Sequence, residues 1–296
     1  MPVIRPYFEE ISRNKPSCIA FLIDQSGSMA EGFGERRGRD LVREPNPTKA
    51  QGASDALNRC LANIVMRCTK DEGVRDYFEV GVWGYGATVG VELAGATEGR
   101  ELIPVSELYE ISRIEDRIRQ VPDGSGGLIS ETIKFPVWVD VKADGNTPMC
   151  EALEKVRGVI DRWIARHRDS YPPTIINITD GASSDGDPRK VAWQMMELTN
   201  NNGSQALVFN IHVSGNSDAP PILYPPTSDG LQSYAKQLFE MSSTLPNKLV
   251  VEASMGGLPV GQGSHGFVFN GGLTDLIRFL DIGTRVTTMT DLRSGR

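Results

Sequence analysis

Three oxygen-bearing side chains follow an apolar stretch early in the chain, at Asp24, Ser26 and Ser28. They stand on alternate residues of one short segment, so a tight loop can point the carboxylate and both hydroxyls in the same direction. Hard oxygen ligands of this kind suit Mg²⁺, Mn²⁺ or Ca²⁺. The spacing therefore predicts a binding site for a divalent cation.

Two further polar positions could complete such a site, Thr147 and Asp180. Each position also has an ordinary structural explanation. Asp24 and Asp180 are typical turn residues, the serine hydroxyls can bond to nearby backbone, and Thr147 before Pro148 suits a helix N-cap. Only the combination favours a cation site, and it requires a fold that brings the three segments together.

The elements that must position these residues alternate between strands and helices. The apolar run at 18–23 ends at Asp24, as expected for a strand buried on both faces of a parallel sheet. Thr48 and Gln51 form a capping-box pattern before a helical apolar stripe. The alternation predicts a doubly wound, mostly parallel α/β sheet flanked by helices, of the Rossmann-like kind. The predicted strands are 18–23, 77–85, 135–141, 174–179 and 205–213, and the predicted helices are 48–68, 106–120, 147–167, 187–200, 231–242 and 273–282.

The predicted topology explains how distant residues could meet. In a doubly wound sheet, ligands bind outside the carboxyl ends of the strands. Asp24, Thr147 and Asp180 each lie in a segment that enters or leaves such an end. We therefore expect the three polar segments to converge on one rim of the sheet.

These motifs resemble those of a known family. Asp24-x-Ser26-x-Ser28 after a buried strand, Thr147 in Gly-Asn-Thr-Pro and Asp180 in Thr-Asp-Gly are similar to the metal-ion-dependent adhesion site of von Willebrand factor A (VWA) domains. All five positions match, and the three motifs occur in the family's order. The resemblance covers residues 15–283, which implies a single VWA-like domain over 1–296.

The resemblance also implies a set of ligands and a mode of binding. Ser26, Ser28 and either Thr147 or a water would contact the cation directly, and Asp24 and Asp180 would reach it directly or through water. Mg²⁺ is the expected ion, with Mn²⁺ or Ca²⁺ as alternatives. An ion with an open coordination position can capture an Asp or Glu of a partner protein.

Several function classes follow from this resemblance. The first is a metal-dependent protein-binding module that is not an enzyme. The second is a regulatory or substrate-delivery subunit of an AAA+ ATPase, or of a kinase or phosphatase complex. The motifs look most like those of bacterial cytoplasmic members of the tellurite-resistance-associated group, which implies a stress-response or defence system.

Enzymatic alternatives lack essential residues. A magnesium-dependent phosphohydrolase of the haloacid dehalogenase type needs a second carboxylate two residues after Asp24, where Ser26 stands. The sequence contains no Gly-x-Ser-x-Gly nucleophile elbow, and the three histidines have no evident catalytic partners. An EF-hand loop would need glycine at Met29.

Composition indicates an ordinary globular protein. The chain of 296 residues has a net charge of -7, which disfavours broad nucleic-acid binding. It has no apolar stretch typical of a signal peptide or a membrane span, and its four scattered cysteines suggest reduced thiols. Together these features predict a cytoplasmic location without membrane contact.

The loop at 30–47 borders the expected site and is rich in charge. We hypothesise that its arginines add specificity for an acidic partner surface, although a solvated loop is the simpler reading. The arginines are Arg36, Arg37, Arg39 and Arg43, interspersed with Glu31, Glu35 and Asp40.

Overall fold

A central sheet organises the structure, a computed structural model that describes residues 7–33, 47–94, 97–110, 113–124, 126–214, 220–231 and 233–285. The strands are β1 (Ser17–Asp24), β2 (Thr69–Lys70), β3 (Gly73–Val74), β4 (Phe78–Tyr85), β5 (Val89–Val91), β6 (Ile103–Pro104), β7 (Arg113–Pro122), β8 (Leu128–Val137), β9 (Thr174–Thr179), β10 (Leu207–Val213), β11 (Ile222–Leu223) and β12 (Phe267–Gly271). The helices are α1 (Lys49–Cys68), α2 (Val105–Leu108), α3 (Met149–Arg166), α4 (Arg189–Met196), α5 (Ser233–Glu240), α6 (Asn247–Met255) and α7 (Leu273–Arg285).

The strand order confirms the predicted fold class. The sheet runs β11-β12-β10-β9-β1-β4-β5, and β6 pairs with β4. Pairing is parallel from β4 through β1, β9 and β10 to β12, and antiparallel at the margins. The chain leaves β1 towards β4 and later returns to the other side of β1 as β9. The sheet is therefore doubly wound, and its order reverses between β1 and β9.

β1 shows why the centre of the sheet is apolar. All eight of its residues are buried, as expected for a parallel strand covered on both faces. Phe21 points into the core that contains α1, α6 and α7, whereas Leu22 points into the core that contains α3, α4 and α5. Because every side chain before Asp24 is committed to packing, polar chemistry begins only where the strand ends.

The two long helices match their predictions closely. In α1, Thr48 is the N-cap, and its hydroxyl accepts a hydrogen bond from the Gln51 N–H at 3.1 Å. The reciprocal half of the capping box is missing, since the Gln51 side chain donates to Asp55 instead.

Among the described residues, none of the helices has the length and apolarity needed to cross a lipid bilayer.

The predicted helix at 106–120 is wrong at 113–120, where the structure has a strand. The chain forms the short helix α2 and then β7, which pairs over ten residues with β8 in an antiparallel hairpin. Ile114 and Ile118 are four residues apart, a spacing that puts them on one face of a strand as well as of a helix. The pairing with β8 resolves this ambiguity in favour of a strand. The glycine-rich segment after β7 allows this pairing, because it reverses the chain in a turn in which the Asp123 N–H donates to the Gly127 carbonyl.

The hairpin contacts α1 through Phe135, over whose ring the Arg59 guanidinium of α1 lies at 5.7 Å, and through Arg117. The Arg117 guanidinium lies 3.8 Å from the centre of the Phe135 ring and donates to Asp55 of α1 at 2.6 Å. The strand predicted at 135–141 corresponds only to the end of β8, which begins at Leu128 and stops at Val137.

Several other boundaries differ from the predictions. The elements predicted at 187–200, 205–213 and 231–242 are shorter in the structure, as α4, β10 and α5. The strand β12 and the helix α6 were not predicted. β12 is central to one half of the sheet but only five residues long, with partly exposed positions, so its local pattern is weak.

The cysteines lead to a testable prediction about reactivity. All four lie in the described residues without forming a disulfide, and only Cys150 is partly exposed. Burial raises the pKa of Cys68 to about 12 and the pKa of Cys18 well above its usual range. Burial also raises the pKa of Cys150, but this thiol is the one that solvent reaches, so we expect native protein to react slowly with about one equivalent of Ellman's reagent at Cys150.

Thiol titration with and without guanidinium checks this expectation. Cys150→Ser should abolish the native reaction, and unfolding should expose the remaining thiols. Rapid reaction of two or more thiols in the native protein would contradict the buried positions.

Candidate metal site

The candidate site lies where the strand order reverses. Asp24 is the last residue of β1, and Asp180 directly follows β9. These strands are neighbours in parallel register, with Ile23 paired to Ile178. The reversal leaves a crevice at their carboxyl ends, because the connections from the two strands leave in opposite directions.

Three predicted ligands form a continuous set of oxygens in this crevice. The hydroxyls of Ser26 and Ser28 are hydrogen-bonded at 3.1 Å. Ser28 also donates to Asp180 Oδ1 at 2.7 Å, across 152 residues of sequence. A single 3-10 turn at Gly27–Ala30 follows Ser26 and presents the Ser28 hydroxyl to Asp180.

Asp24 is fully buried and holds the loop at Ser26 through a hydrogen bond. Its Oδ1 accepts from the Ser26 N–H at 2.9 Å, and its Oδ2 accepts from the Thr179 hydroxyl at 2.7 Å. Burial raises the pKa of Asp24, although the hydrogen bonds from Ser26 and Thr179 act in the opposite direction. Both carboxylate oxygens already hold protein donors, which suits a ligand that orients the site and reaches an ion through water.

Thr147 lies at the edge of this cluster. Its segment is bonded to the serine loop, because Gly27 N–H donates to the Gly145 carbonyl at 3.0 Å. Its Oγ1 is 4.0 Å from the position that a Cβ on Gly181 would occupy, which places the hydroxyl beside the residue after Asp180. The structure thus joins the three predicted segments at one rim.

The alternative role of Thr147 as a helix cap is wrong. The helix α3 begins at Met149, and Pro148, not Thr147, occupies its N-cap position, where the residue makes no side-chain capping bond. Asp185 caps the helix from another loop, since its carboxylate accepts from the N–H groups of Cys150 and Glu151 at 3.0 and 2.9 Å. The Thr147 hydroxyl is therefore not used to begin the helix.

Lys49 is a site residue that the sequence analysis missed. Its ammonium lies 2.6 Å from Asp180 Oδ2 and 2.8 Å from Glu31 Oε2, and its side chain is only 6% exposed. Burial lowers the pKa of Lys49, but Asp180 and Glu31 outweigh this and raise it, so the ammonium is charged at neutral pH. A lysine at the start of a helix usually faces solvent, and no local pattern indicates this contact.

An open pocket of about 590 Å³ adjoins the cluster and contains Lys49, Asp180 and His212 in its lining. Burial lowers the pKa of His212 to about 4, so its ring is neutral at pH 7. The Nδ1 atom of the ring accepts from the Asn270 N–H at 3.2 Å. His212 therefore lines the pocket beside Lys49 without adding a charge.

The donor set fits a hard divalent cation. Around Mg²⁺ with oxygen ligands at about 2.1 Å, neighbouring ligands are about 3 Å apart. The Ser26–Ser28 and Ser28–Asp180 oxygen pairs are separated by 3.1 and 2.7 Å. No group of three or more His, Cys, Asp or Glu side chains in the described ranges is arranged to hold a metal, so a site here depends on hydroxyl ligands.

The arginines that were expected to border this site, Arg36, Arg37, Arg39 and Arg43, lie outside the described residues. Glu31 is described, and it pairs with Lys49. The hypothesis of an arginine surface for an acidic partner therefore stays a prediction.

Neither a protein-family model nor a curated protein sequence matches the chain. Among solved structures, it is similar to a von Willebrand factor type A protein from Catenulispora acidiphila, with 13% identity, a TM-score of 0.44, and coverage of 92% of this chain and 43% of that one. The PilB minor pilin of Streptococcus sanguinis gives 11% identity, a TM-score of 0.45, and coverage of 95% and 64%. The manganese-loaded TRAP protein of Plasmodium vivax gives 16% identity, a TM-score of 0.33, and coverage of 68% and 58%. In each case this chain spans less than two thirds of the solved chain.

Proposed function

We propose that this chain is a metal-dependent protein-binding module with a VWA-type site. It holds one divalent cation, most suitably Mg²⁺, through Asp24, Ser26, Ser28, Thr147 and Asp180. The observation that carries the proposal is the Ser26–Ser28–Asp180 chain of hydrogen-bonded oxygens at the reversal of strand order. Such oxygens can exchange their mutual hydrogen bonds for contacts to one ion.

The charges of the proposed site favour capture of a carboxylate. Only two of the five proposed ligands are carboxylates, and one of these, Asp180, is already paired with Lys49. A divalent ion held mainly by hydroxyls and water keeps much of its charge, so an Asp or Glu of a partner can occupy a vacant coordination position. The partner therefore supplies part of the neutralising charge.

The same contacts favour binding over catalysis. Asp24 is the residue that would act as the nucleophile of a phosphohydrolase, but it is fully buried. Its two oxygens accept from Ser26 and Thr179. An approach to a phosphorus atom would have to break these hydrogen bonds, and Ser26 cannot act as a general acid at neutral pH.

The resemblance of the motifs to the tellurite-resistance-associated group extends the proposal to a cellular setting. In that setting the partner belongs to a bacterial stress-response or defence system, and a kinase, phosphatase or AAA+ ATPase is the expected class of protein. The identity of the captured partner tests this part of the proposal.

A pull-down with and without chelator tests the proposed function. Immobilised protein should retain a specific partner from a lysate of its source in millimolar Mg²⁺ and release it in EDTA. Ser28→Ala should lose most of the partner, because the substitution removes a proposed direct ligand.

Ser130→Ala is the matched control, since Ser130 is exposed on the hairpin and its hydroxyl accepts a hydrogen bond from the Gln120 side chain, outside the candidate site. This variant should retain the partner. Equal retention in Mg²⁺ and in EDTA, with wild type and Ser28→Ala alike, would refute the proposed function.

A further inference from the structure

The Lys49 ammonium contacts Asp180, a carboxylate that the proposed divalent cation also needs as a ligand. It lies 2.6 Å from Asp180 Oδ2, while the other oxygen of that carboxylate accepts from Ser28 at 2.7 Å. The side chains of Lys49 and Asp180 are 6% and 1% exposed. Asp180 thus lies between the Lys49 ammonium and the proposed metal ion.

Both the backbone and the side chain hold Lys49 in this position. Its N–H donates to the Glu31 carbonyl at 2.8 Å, and its ammonium bonds to the Glu31 carboxylate at 2.8 Å. The Glu31 side chain is 70% exposed, so it can follow the ammonium without losing a buried environment. Lys49 can therefore move away from Asp180 and still keep a negatively charged partner.

We propose that Lys49 is a built-in competitor for the divalent cation, which neutralises Asp180 in the metal-free protein and yields that carboxylate when the ion binds. This inference rests on the proposed function, since it concerns the same site. It assigns Lys49 the role of setting the affinity of the site, and Glu31 the role of receiving the displaced ammonium.

Electrostatics gives the competition its sign and size. Without Lys49, the nearly fully buried Asp180 would carry an uncompensated charge in the metal-free state, which destabilises a fold. With Lys49, the arriving ion meets a positive charge. Even at the dielectric constant of water, a single charge about 5 Å from a divalent ion weakens binding by about tenfold. Lys49 therefore stabilises the metal-free protein and lowers the affinity of the site for the ion, so that the bound ion can dissociate.

Calorimetric titration of the full chain with MgCl₂ tests this role. Lys49→Met removes the charge and keeps most of the apolar stem, so the dissociation constant for Mg²⁺ should fall about tenfold or more. Lys49→Arg keeps the charge and should bind within a few-fold of wild type. Lys155→Met, which removes an ion-paired lysine on α3, should leave the dissociation constant unchanged.

Thermal unfolding in EDTA provides a second readout. Lys49→Met should lower the melting temperature by several degrees, and saturating Mg²⁺ should raise it by more in the variant than in wild type. Lys49→Gln keeps a donor for Asp180 without the charge and provides a folded test if the Met variant unfolds.

The outcomes separate this inference from the proposed function. Wild type that binds Mg²⁺, together with uncharged Lys49 variants that bind with equal or lower affinity, would overturn the competition while leaving the metal site intact. Failure of wild type and of every Lys49 variant to bind Mg²⁺, Mn²⁺ or Ca²⁺ would overturn both.

Discussion

Asp24→Ala should lower the affinity for Mg²⁺ by about a hundredfold, and Ser28→Ala by about tenfold. The difference follows from their contacts. Ser28 supplies a single hydroxyl, bonded to Ser26 and Asp180. Asp24 supplies a full charge and also anchors the serine loop and β9 through Ser26 and Thr179. Losing it removes an attractive charge and the constraint that keeps the serine oxygens aligned.

Calorimetry with MgCl₂ measures both effects, and wild type should bind one ion per chain. Asp24→Asn is the matched control for shape, because it can still accept from the Ser26 N–H but has no charge. Its affinity should lie between those of wild type and Asp24→Ala. Unfolding curves in EDTA verify that each variant is folded. Unchanged affinity in both Asp24→Ala and Ser28→Ala would exclude the proposed ligand set.

Asn58→Leu should reduce the free energy of unfolding by about 4 kcal/mol, because it leaves buried backbone groups without partners. Asn58 is fully buried on α1. Its Oδ1 accepts from the N–H groups of Trp138 and Val139 at 2.8 and 3.0 Å, and its Nδ2 donates to the Val139 carbonyl at 2.9 Å. One amide thus satisfies a segment that leaves the hairpin and leads towards Thr147.

Ser54→Ala is the matched control for this substitution. Ser54 donates to the same Val139 carbonyl at 2.7 Å, but Asn58 would still satisfy that oxygen after the change. We expect a loss of about 1 kcal/mol or less for Ser54→Ala, measured by urea unfolding monitored by circular dichroism. A similar loss for both variants would mean that Asn58 does not have the proposed special role.

Local patterns were sufficient where one structural preference dominates. β1 is apolar at every position between Ser17 and Asp24, so its burial and its end could be predicted. α1 and α3 carry apolar residues at helical spacing over many turns, and their predicted ends lie within two residues of those observed. The hairpin shows the limit of this reasoning. Ile114 and Ile118 fit two periodicities, and only the ten-residue pairing of β7 with β8 selects the strand.

The sequence by itself determined the types of oxygen donor, the positions of Asp24 and Asp180 after buried strands and the alternation that makes a doubly wound sheet. These features depend on neighbouring residues and on a repeated pattern, which a linear chain displays directly. Only the tertiary structure decided that Lys49 pairs with Asp180, that Asp185 caps α3 and that Asn58 holds the segment after the hairpin. Each of these contacts joins polar groups distant in sequence, and burial makes such a contact strong through the removal of competing water. Which groups lose water together is a property of the packed fold.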